Sequence, residues 1–336
     1  MDRSRQTGGG AAVIAGTGAY APERVLTNHE LARLVDTSDE WIRSRTGIRE
    51  RRIAGPEEST AHMGAQAARR ALAAAGVAPA AVDLILVATI TPDMLFPASA
   101  CLVQAELGAV QSACLDLEAA CSGFVYGVEV GAQFIRGGAC RHVLVIGAEK
   151  LSSIIDWTDR NTCVLFGDGA GAALLAVADS PRRRGVIAST LGADGRLAHI
   201  LHQPGGGARC PASEESVRQR LHFLRMAGKE VYRQAVTAMQ RAAEQVLERA
   251  GLTARDLKLV IPHQANLRII DALGERLRLR PDQLFINLER YGNTSAASVI
   301  LALDEAVRAG QLRRGDLFML VAFGAGLTWG ASIIEY

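Results

Sequence analysis

The chain repeats one order of features in its two halves: a helix end, a glycine, a short connection and an aliphatic strand. AAAGVAPAAVDLILVAT at 73–89 resembles ERAGLTARDLKLVIP at 248–262, and IRGGACRHVLVIGA at 135–148 resembles VRAGQLRRGDLFMLVAFGA at 307–325. Ala-rich units can look alike by chance, but a repeated order at a repeated spacing favours duplication. The sequence therefore predicts two homologous halves related by a pseudo-twofold axis.

Two chemically distinctive residues occupy equivalent places in these halves. Cys121 lies 45 residues after Gly76, and Asn293 lies 42 residues after Gly251. Each stands where a predicted strand gives way to a predicted helix. A pseudo-twofold arrangement would bring Cys121 and Asn293 face to face between the halves.

The expected division of the chain follows from the same repeat. At 336 residues the chain exceeds one average domain. We place the first half at 11–182 and the second at 183–336, with SPRRRG at 180–185 as the linker. Residues 1–10 are expected to form a mobile tail, because glycines break the apolar region that a signal peptide would need.

Continuous apolar runs alternate with Ala-rich helical stretches along the chain. Such runs are typical of strands that are covered on both faces. They lie at 82–89, 141–148, 171–177, 257–262 and 316–323. The clearest helical stretches lie at 61–76, 230–251 and 293–310. This alternation predicts a layered α/β fold.

Composition restricts the classes of function. Hydrophobic residues make up 49% of the chain and charged residues 21%, so a large core can form. The net charge of +2 gives no electrostatic case for binding nucleic acid or an anionic membrane, and no run of about 18 apolar residues occurs that would span a bilayer. The six cysteines have neither CxxC spacing nor the density of a disulfide scaffold, which indicates a reducing, cytoplasmic setting.

Cys121 stands at the break in LEAACSGFVYG, residues 117–127. At a helix start its sulfur would lie in the positive field of the helix N-terminus, which lowers the pKa of a thiol and favours the nucleophilic thiolate. From the residues alone, an inert buried cysteine is an equally good explanation. For four of the other cysteines the inert explanation is the better one.

His263 and Asn293 carry two further candidate groups. His263 directly follows the strand that ends at Pro262, and α/β proteins bind ligands at strand ends. Asn293 precedes a helix, where an N-cap would explain an asparagine as well as an amide donor beside the imidazole would. His199 and His202 have HxxH spacing, but no carboxylate or cysteine completes a metal site.

A cysteine, a histidine and an asparagine in this order fit two classes of enzyme. Papain-like proteases have the order, and the 142 residues between Cys121 and His263 are compatible with it. Their flanking C-G-S-C-W pattern is missing, however, and the duplicated α/β pattern does not suit them. The other class is that of the thiolase-like condensing enzymes.

Seven stretches make the resemblance to one family of condensing enzymes specific. The sequence resembles the β-ketoacyl-acyl-carrier-protein synthase III family, which initiates type II fatty acid synthesis. The matching stretches are TNHELARLVDTSDEWIRSRTGIRERRI (27–53), ACSGFVYG (120–127), TDRNTCVLFGDGAGAALL (158–175), MAGKEVYRQAV (226–236), PHQANLRI (262–269), YGNTSAAS (291–298) and AFGAGLTWG (322–330). The resemblance implies the thiolase fold, a duplicated five-layer αβαβα arrangement with two pseudo-twofold-related halves.

The resemblance also implies a reaction in two stages. Cys121 would attack the thioester of a short acyl-CoA such as acetyl-CoA, while the backbone N–H groups of Cys121 and Ala325 hold the oxyanion. Many relatives have glycine at the position of Ala325. An alanine there still supplies the N–H group, provided that its φ is not positive. His263, neutral and donating, and Asn293 would then stabilise the enolate that forms when malonyl-acyl-carrier-protein loses carbon dioxide.

Three sets of binding residues are implied in the same way. The CoA contacts would be Thr37, Trp41, Arg45, Arg160, Gly228 and Asn266, since indole and guanidinium planes suit a purine and arginines suit phosphates. The contacts to the acidic acyl carrier protein would be Arg233, Arg268 and Arg276. Phe96 would floor the acyl pocket across a homodimer interface and favour short primers, although simple packing at that interface also explains an aromatic residue.

No cofactor or metal is expected, because acyl-CoA and malonyl-acyl-carrier-protein are substrates. Three other functions stay open from the sequence. A synthase III-like enzyme of secondary metabolism would use a different acyl donor or carrier, and a substrate screen would identify it. A cysteine protease would cleave peptides without CoA. A non-catalytic acyl-carrier-binding module would need no nucleophile, which argues against it.

Overall fold

The structure, a computed structural model, describes residues 10–180 and 184–336. The expected tail at 1–10 lies outside these residues apart from Gly10, and so does the expected boundary between 182 and 183. Within the described residues, no helix is both long enough and apolar enough to cross a lipid bilayer.

Strands and helices alternate along both halves. The strands of the first half are β1 (Ala12–Tyr20), β2 (Val25–Thr27), β3 (Glu50–Arg52), β4 (Leu84–Ala88), β5 (Ala113–Leu117), β6 (His142–Glu149) and β7 (Gly169–Val177). Its helices are α1 (Asn28–Leu31), α2 (Asp39–Thr46), α3 (Thr60–Ala75), α4 (Ser99–Leu107) and α5 (Gly123–Arg136). The strands of the second half are β8 (Val186–Ala193), β9 (Leu201–His202), β10 (Arg225–Met226), β11 (Leu259–Pro262), β12 (Leu317–Gly324) and β13 (Thr328–Glu335). Its helices are α6 (Glu214–Arg218), α7 (Gly228–Ala250), α8 (Leu267–Leu277), α9 (Leu288–Tyr291) and α10 (Ala297–Arg308).

The two large sheets have the same topology. The first has the order β1-β7-β6-β4-β5, with β4, β5 and β6 parallel and β7 antiparallel to both of its neighbours. The second has the order β8-β13-β12-β11, with β11 parallel to β12 and β13 antiparallel to both of its neighbours. An isolated parallel bridge between Val260 and Leu284 stands where the second sheet would have a fifth strand. The predicted duplication is therefore confirmed in the topology.

The helices form three layers around these sheets. α3 and α4 cover the outer face of the first sheet, and α7 and α8 cover the outer face of the second. α5 and α10 lie between the sheets, where Phe124 and Val299 pack in one core with strand residues of both halves such as Leu86 and Leu320. The resulting αβαβα order is the predicted one.

The middle helix α5 lies close to the first sheet because one of its faces has no side chains. A Cβ added to Gly123 would lie 2.9 Å from Cβ of Ala88, and one added to Gly127 would lie 2.7 Å from Cγ1 of Val145. Both distances are shorter than van der Waals contact, so only glycine allows this approach. The start of α5 is thereby fixed against the sheet, and with it the turn before the helix that contains Cys121.

Side chains engage the backbone at the edges of the two sheets. Arg314 donates to the carbonyl oxygens of Ile14 at 2.6 Å and Ala15 at 2.8 Å, at the bulge in β1. Arg249 donates to the carbonyl oxygen of Ser189 in β8 at 2.8 Å. β5 differs, because no strand or side chain of the described residues is hydrogen-bonded to its outer edge.

Candidate active site

Cys121 lies in a 3₁₀ turn, Ala120–Ser122, directly before α5, which is where the sequence predicts it. Ala120 has a φ of +45°, a left-handed conformation that costs energy for any residue other than glycine. The end of β12 abuts this turn, and a Cβ added to Gly324 would lie 2.5 Å from the backbone N of Cys121. Strain and close packing therefore hold the cysteine in one place.

The Cys121 thiol does not have the low pKa that its position at a helix start predicts. Burial, together with the carboxylates of Glu149 and Glu118, raises the pKa of Cys121 to about 12, although the Ser295 hydroxyl and the backbone N–H of Cys121 oppose the rise. The prediction is wrong because it weighed the helix field without burial, which disfavours the thiolate more strongly here. Cys121 is a thiol at neutral pH, so its use as a nucleophile requires a group that accepts its proton.

His263 follows β11 and is buried against Ser298. Its Nδ1 lies 2.6 Å from Ser298 Oγ, which also accepts the backbone N–H of Gln264 at 3.3 Å. Because Gln264 already donates to that oxygen, we assign the serine hydrogen to Nδ1 and the ring proton to Nε2. Burial lowers the pKa of His263 to about 3. The ring is thus neutral and presents an N–H donor, as the sequence analysis expects.

Asn293 does not cap α10. That helix begins at Ala297, later than the predicted start at 293, and its N-cap is Ala296 without a side-chain hydrogen bond. The delay has a local cause, because Ser295 adopts a left-handed φ of +48°. Asn293 Oδ1 instead accepts the backbone N–H of Ser295 at 2.9 Å. With its oxygen engaged, the amide presents its Nδ2 group as a donor.

One cavity of about 740 Å³ is lined by the three residues Cys121, His263 and Asn293. Ala325 lines the same cavity, and its φ is not among the positive values of the described residues, so an alanine fits there. The Thr328 hydroxyl lies 3.0 Å from the Ala325 carbonyl oxygen and 2.8 Å from that of Ala119, which ties the second half to the Cys121 turn. The structure therefore brings together the groups that the sequence singles out.

A smaller cavity of about 330 Å³ adjoins the first, since Leu165, Met226 and Gly228 line both. Trp41 lines the smaller cavity, and the guanidinium carbon of Arg160 lies 4.7 Å from the centroid of its ring. Two planar groups that suit a purine therefore meet beside the passage to Cys121.

The other three expected CoA contacts lie nearby. Asn266 is the N-cap of α8, where its Oδ1 accepts the Arg268 N–H at 2.9 Å and its Nδ2 donates to the Arg45 carbonyl oxygen at 3.2 Å. The Arg45 side chain is exposed. The Thr37 hydroxyl oxygen is buried and has no hydrogen-bond partner in the described part of the chain. Asn266 thus joins α8 to α2, the helix that carries Trp41.

The three arginines expected to contact a carrier are exposed on α7 and α8. Arg233 forms an ion pair with Glu230, and Arg276 donates to Gln240 at 2.8 Å. Arg268 has its guanidinium carbon 6.0 Å from the ring of Tyr232. Their role as a docking surface stays a prediction.

Phe96 does not line the cavity of its own chain. It is 83% exposed, whereas its neighbour Leu95, which is 82% exposed, does line the cavity. The expected role of Phe96 at the pocket of a partner subunit stays a prediction.

Sequence reasoning missed the polar residues around Cys121. Glu149 ends β6 and is fully buried, with Thr91 donating to it at 2.7 Å and Ser295 at 2.9 Å. The available signal was a carboxylate at the end of the apolar run VLVIGAE. His199 and His202 gather no further ligands, because no three His, Cys, Asp or Glu side chains of the described residues are placed to share a metal ion.

Comparison with known proteins identifies the family. The model described as 3-Oxoacyl-[acyl-carrier-protein (ACP)] synthase III matches residues 115–195, and the model of the C-terminal part matches residues 247–336. A β-ketoacyl-[acyl-carrier-protein] synthase III of Caldanaerobacter subterraneus subsp. tengcongensis is 55% identical over 97% of this chain and 98% of its own. The chain belongs to the 3-oxoacyl-[acyl-carrier-protein] synthase III family.

Solved structures of synthase III proteins share its fold. The crystal structure of the synthase III from Aquifex aeolicus VF5 is 47% identical, with a TM-score of 0.90 over 97% of this chain and 100% of its own. The priming β-ketosynthase of the R1128 polyketide pathway is 40% identical, with a TM-score of 0.91 over 99% of this chain and 98% of its own. The thiolase fold is confirmed, and as a synthase III the chain is an acyltransferase that acts by condensation to initiate fatty acid synthesis. The cysteine protease and the non-catalytic module are set aside.

Proposed function

We propose that this synthase III condenses a short acyl-CoA, acetyl-CoA above all, with malonyl-acyl-carrier-protein to give 3-oxoacyl-acyl-carrier-protein, CoA and carbon dioxide. The observation that carries the proposal is the cavity on which the Cys121 thiol, the neutral His263 imidazole and the Asn293 amide converge. These groups supply one nucleophile and two uncharged donors, which is what acyl transfer followed by enolate formation requires.

In the first stage, Cys121 Sγ attacks the thioester carbonyl carbon and CoA leaves as the thiol. Negative charge develops on the carbonyl oxygen in the tetrahedral intermediate. The backbone N–H groups of Cys121 and Ala325 suit that oxygen, since the absence of a side chain on Gly324 lets β12 approach the cysteine turn. The acyl group is then held as a thioester of Cys121.

In the second stage, malonyl-acyl-carrier-protein loses carbon dioxide and the electron pair of the broken C–C bond forms an enolate. The His263 Nε2–H and the Asn293 Nδ2–H donate to the enolate oxygen. A neutral donor suits this task because it stabilises the negative charge on the enolate oxygen without giving up its own proton to the enolate. The enolate carbon attacks the acyl thioester, the C–S bond to Cys121 breaks, and the sulfur takes up one proton from water, the proton that the overall condensation consumes.

The smaller cavity suits the nucleotide end of CoA. Trp41 and Arg160 offer planes on which an adenine stacks, and the exposed Arg45 offers charge to a phosphate. The buried, unpartnered hydroxyl of Thr37 offers a hydrogen bond that the free protein leaves unmade. The pantetheine arm would pass Gly228 and Asn266 toward Cys121, since both line the larger cavity.

We further propose that the protein is a homodimer that pairs through β5 and receives the carrier at Arg233, Arg268 and Arg276. The open outer edge of β5 and the exposed side chains of Leu95 and Phe96 support the pairing, because an isolated chain gains from covering both. The exposed arginines on α7 and α8 support docking of an acidic carrier.

Similarity to the priming ketosynthase of a polyketide pathway favours one second candidate. The TM-score of 0.91 to that protein equals or exceeds those of several fatty acid enzymes, so the fold does not separate the two uses. An enzyme of that kind would take a different acyl donor or carrier.

Intact-mass spectrometry after incubation with acetyl-, isobutyryl- and octanoyl-CoA tests the proposal. We expect an acetyl adduct on Cys121 that is absent from Cys121→Ala and present in Cys163→Ala, a matched control at another buried cysteine. An adduct that maps to a different cysteine would overturn the assignment. A preference for octanoyl-CoA would favour the second candidate.

A further inference from the structure

Ser295 lies between the Cys121 thiol and the Glu149 carboxylate. Its hydroxyl donates to Glu149 Oε1 at 2.9 Å, lines the same cavity as the Cys121 thiol and lowers the pKa of that thiol. A serine hydroxyl has one hydrogen, so while it donates to the carboxylate its oxygen is left to accept a proton from the thiol. The thiol, the hydroxyl and the carboxylate thus form one line of polar groups, with Ser295 1% exposed and Glu149 fully buried.

The backbone of Ser295 is bent to put the hydroxyl there. Its left-handed φ of +48° is unfavourable for a residue with a side chain. The N–H group of Ser295 is held by Asn293 Oδ1 at 2.9 Å, so the same bend also orients the Asn293 amide. Strain of this kind persists where the surrounding structure enforces it, commonly at reactive sites.

Glu149 is a buried carboxylate that forms no ion pair with a Lys or Arg side chain of the described residues. Beyond Ser295, it accepts hydrogen bonds from Thr91 Oγ1 at 2.7 Å and from the Ile90 N–H at 3.1 Å. The next residue, Lys150, turns away and donates to the Gly55 carbonyl oxygen at 2.7 Å. Burial raises the pKa of Glu149 to about 7, against these hydrogen bonds. A group in this state gains and loses a proton readily at neutral pH.

We propose that Glu149, acting through the Ser295 hydroxyl, accepts the proton of Cys121 during acyl transfer. The inference rests on the proposed role of Cys121 as the nucleophile. As the Sγ–C bond forms, the thiol proton passes to Ser295 Oγ and the serine proton passes to Glu149 Oε1. As the C–S bond to CoA breaks, the same line returns a proton to the leaving sulfur, so CoA departs as a thiol and Glu149 is a carboxylate again.

The other titratable groups nearby are less suited to this role. His263 lies across the cavity with Nδ1 engaged by Ser298, and with a pKa of about 3 it is a weak base. Glu118 is exposed, and its carboxylate accepts the Ala120 N–H at 3.0 Å. The residue paired with Glu149 in β7 is Gly169, which has no side chain. Glu149 is therefore the buried base in line with the sulfur.

The proton moves while the new bond forms and does not leave beforehand. Because the pKa of the Cys121 thiol lies well above that of the Glu149 carboxyl, a resting thiolate is unfavourable. General-base assistance of this kind contributes about 10²–10⁴ in rate. Its rate should follow the ionisation of Glu149.

The pH dependence of the Cys121 reaction rate tests the inference with two probes, acetyl-CoA and iodoacetamide. In the native protein both rates should rise with pH to a plateau with a midpoint near 7. In Glu149→Gln we expect both rates at pH 7 to fall about 10²–10⁴-fold and to rise about tenfold per pH unit without a plateau. Ser295→Gly, which suits the left-handed backbone, should reproduce the loss.

Asp168→Asn is the matched control. Asp168 is also a buried carboxylate, but it accepts the N–H groups of Ala54 and Ser152, both at 2.8 Å, and is not hydrogen-bonded to Cys121. We expect the Cys121 reaction rates in Asp168→Asn to keep the native pH midpoint. The inference is overturned if the reaction rates in Glu149→Gln keep the native pH midpoint. It is also overturned if Glu149→Gln and Asp168→Asn lose reaction rate equally at every pH. If native Cys121 is alkylated with this midpoint but never acylated, the proposed function fails, while Glu149 is still supported as the base that takes the Cys121 proton.

Discussion

Replacing Ser298 with alanine should separate the two stages of the reaction. The change removes the hydroxyl that lies 2.6 Å from His263 Nδ1, its hydrogen-bond partner among the described residues. Without that donor, nothing fixes the ring proton on Nε2, and the ring is free to present a bare nitrogen to the cavity. The enolate would then lose one of its two donors.

The size of the effect follows from burial. His263 is 3% exposed and Ser298 is 2% exposed, so water does not replace the missing hydroxyl. A buried polar atom left without a partner costs about 1–3 kcal/mol. At about 1.4 kcal/mol per factor of ten, malonyl decarboxylation should slow about 5- to 150-fold. Acylation of Cys121 should change little, because the Cys121 proton leaves along a different line.

Decarboxylation of malonyl-CoA, measured as carbon dioxide release, reports the second stage, and intact mass after mixing with acetyl-CoA reports the first. Ser332→Ala is the matched control, since it removes another buried hydroxyl, 2.9 Å from Ser189 Oγ, that does not line the cavity. A native rate of decarboxylation in Ser298→Ala would refute the assignment of the tautomer. Equal losses in both stages would show that Ser298 only supports the fold.

Four further outcomes are expected. Burial lowers the pKa of His263 from 6.5 to about 3, so the folded state resists protonation of the ring. The free energy of unfolding, measured by denaturant titration, should therefore fall as pH drops from 6.5 toward 3, and it should fall less in His263→Gln. Gly324→Ala, which puts a Cβ 2.5 Å from the Cys121 N, should abolish acylation by intact mass, whereas Gly195→Ala, with open space around it, should not. Phe96→Thr should raise kcat/KM for octanoyl-CoA and leave that for acetyl-CoA largely intact. An unchanged kcat/KM for octanoyl-CoA would indicate that the Phe96 ring serves only for packing. Arg268→Glu should raise KM for malonyl-acyl-carrier-protein more than KM for acyl-CoA, with salt reducing the difference, and equal effects would contradict docking there.

Features that depend on local sequence order were predictable. The repeated glycine and aliphatic runs predict the duplicated αβαβα fold, and the strand-to-helix joints predict that Cys121 and Asn293 lie between the halves. His263 was predictable because it follows a strand directly. Each of these features depends on where the chain turns from strand to helix, and the periodicity of the apolar residues indicates those positions.

Features that depend on what lies across a turn were not predictable. Asn293 looked like a helix cap, because nothing in NTSAAS shows that Ser295 takes a left-handed conformation and delays α10. The pKa of Cys121 was misjudged, because the opposing effects, burial and the carboxylate of Glu149, come from distant parts of the chain. The polar line from Cys121 to Glu149 joins residues far apart in sequence, which a single sequence does not connect.

The edges of the two sheets determine what kind of assembly this chain can enter. Arginines donate to carbonyl oxygens of β1 and β8, and β11 is bridged by Leu284, whereas no strand or side chain of the described residues is hydrogen-bonded to the outer edge of β5. In the homodimer proposed above, β5 pairs with the same strand of a second copy. That pairing would have closed twofold symmetry and would leave the β5 edge of neither copy open to a further strand.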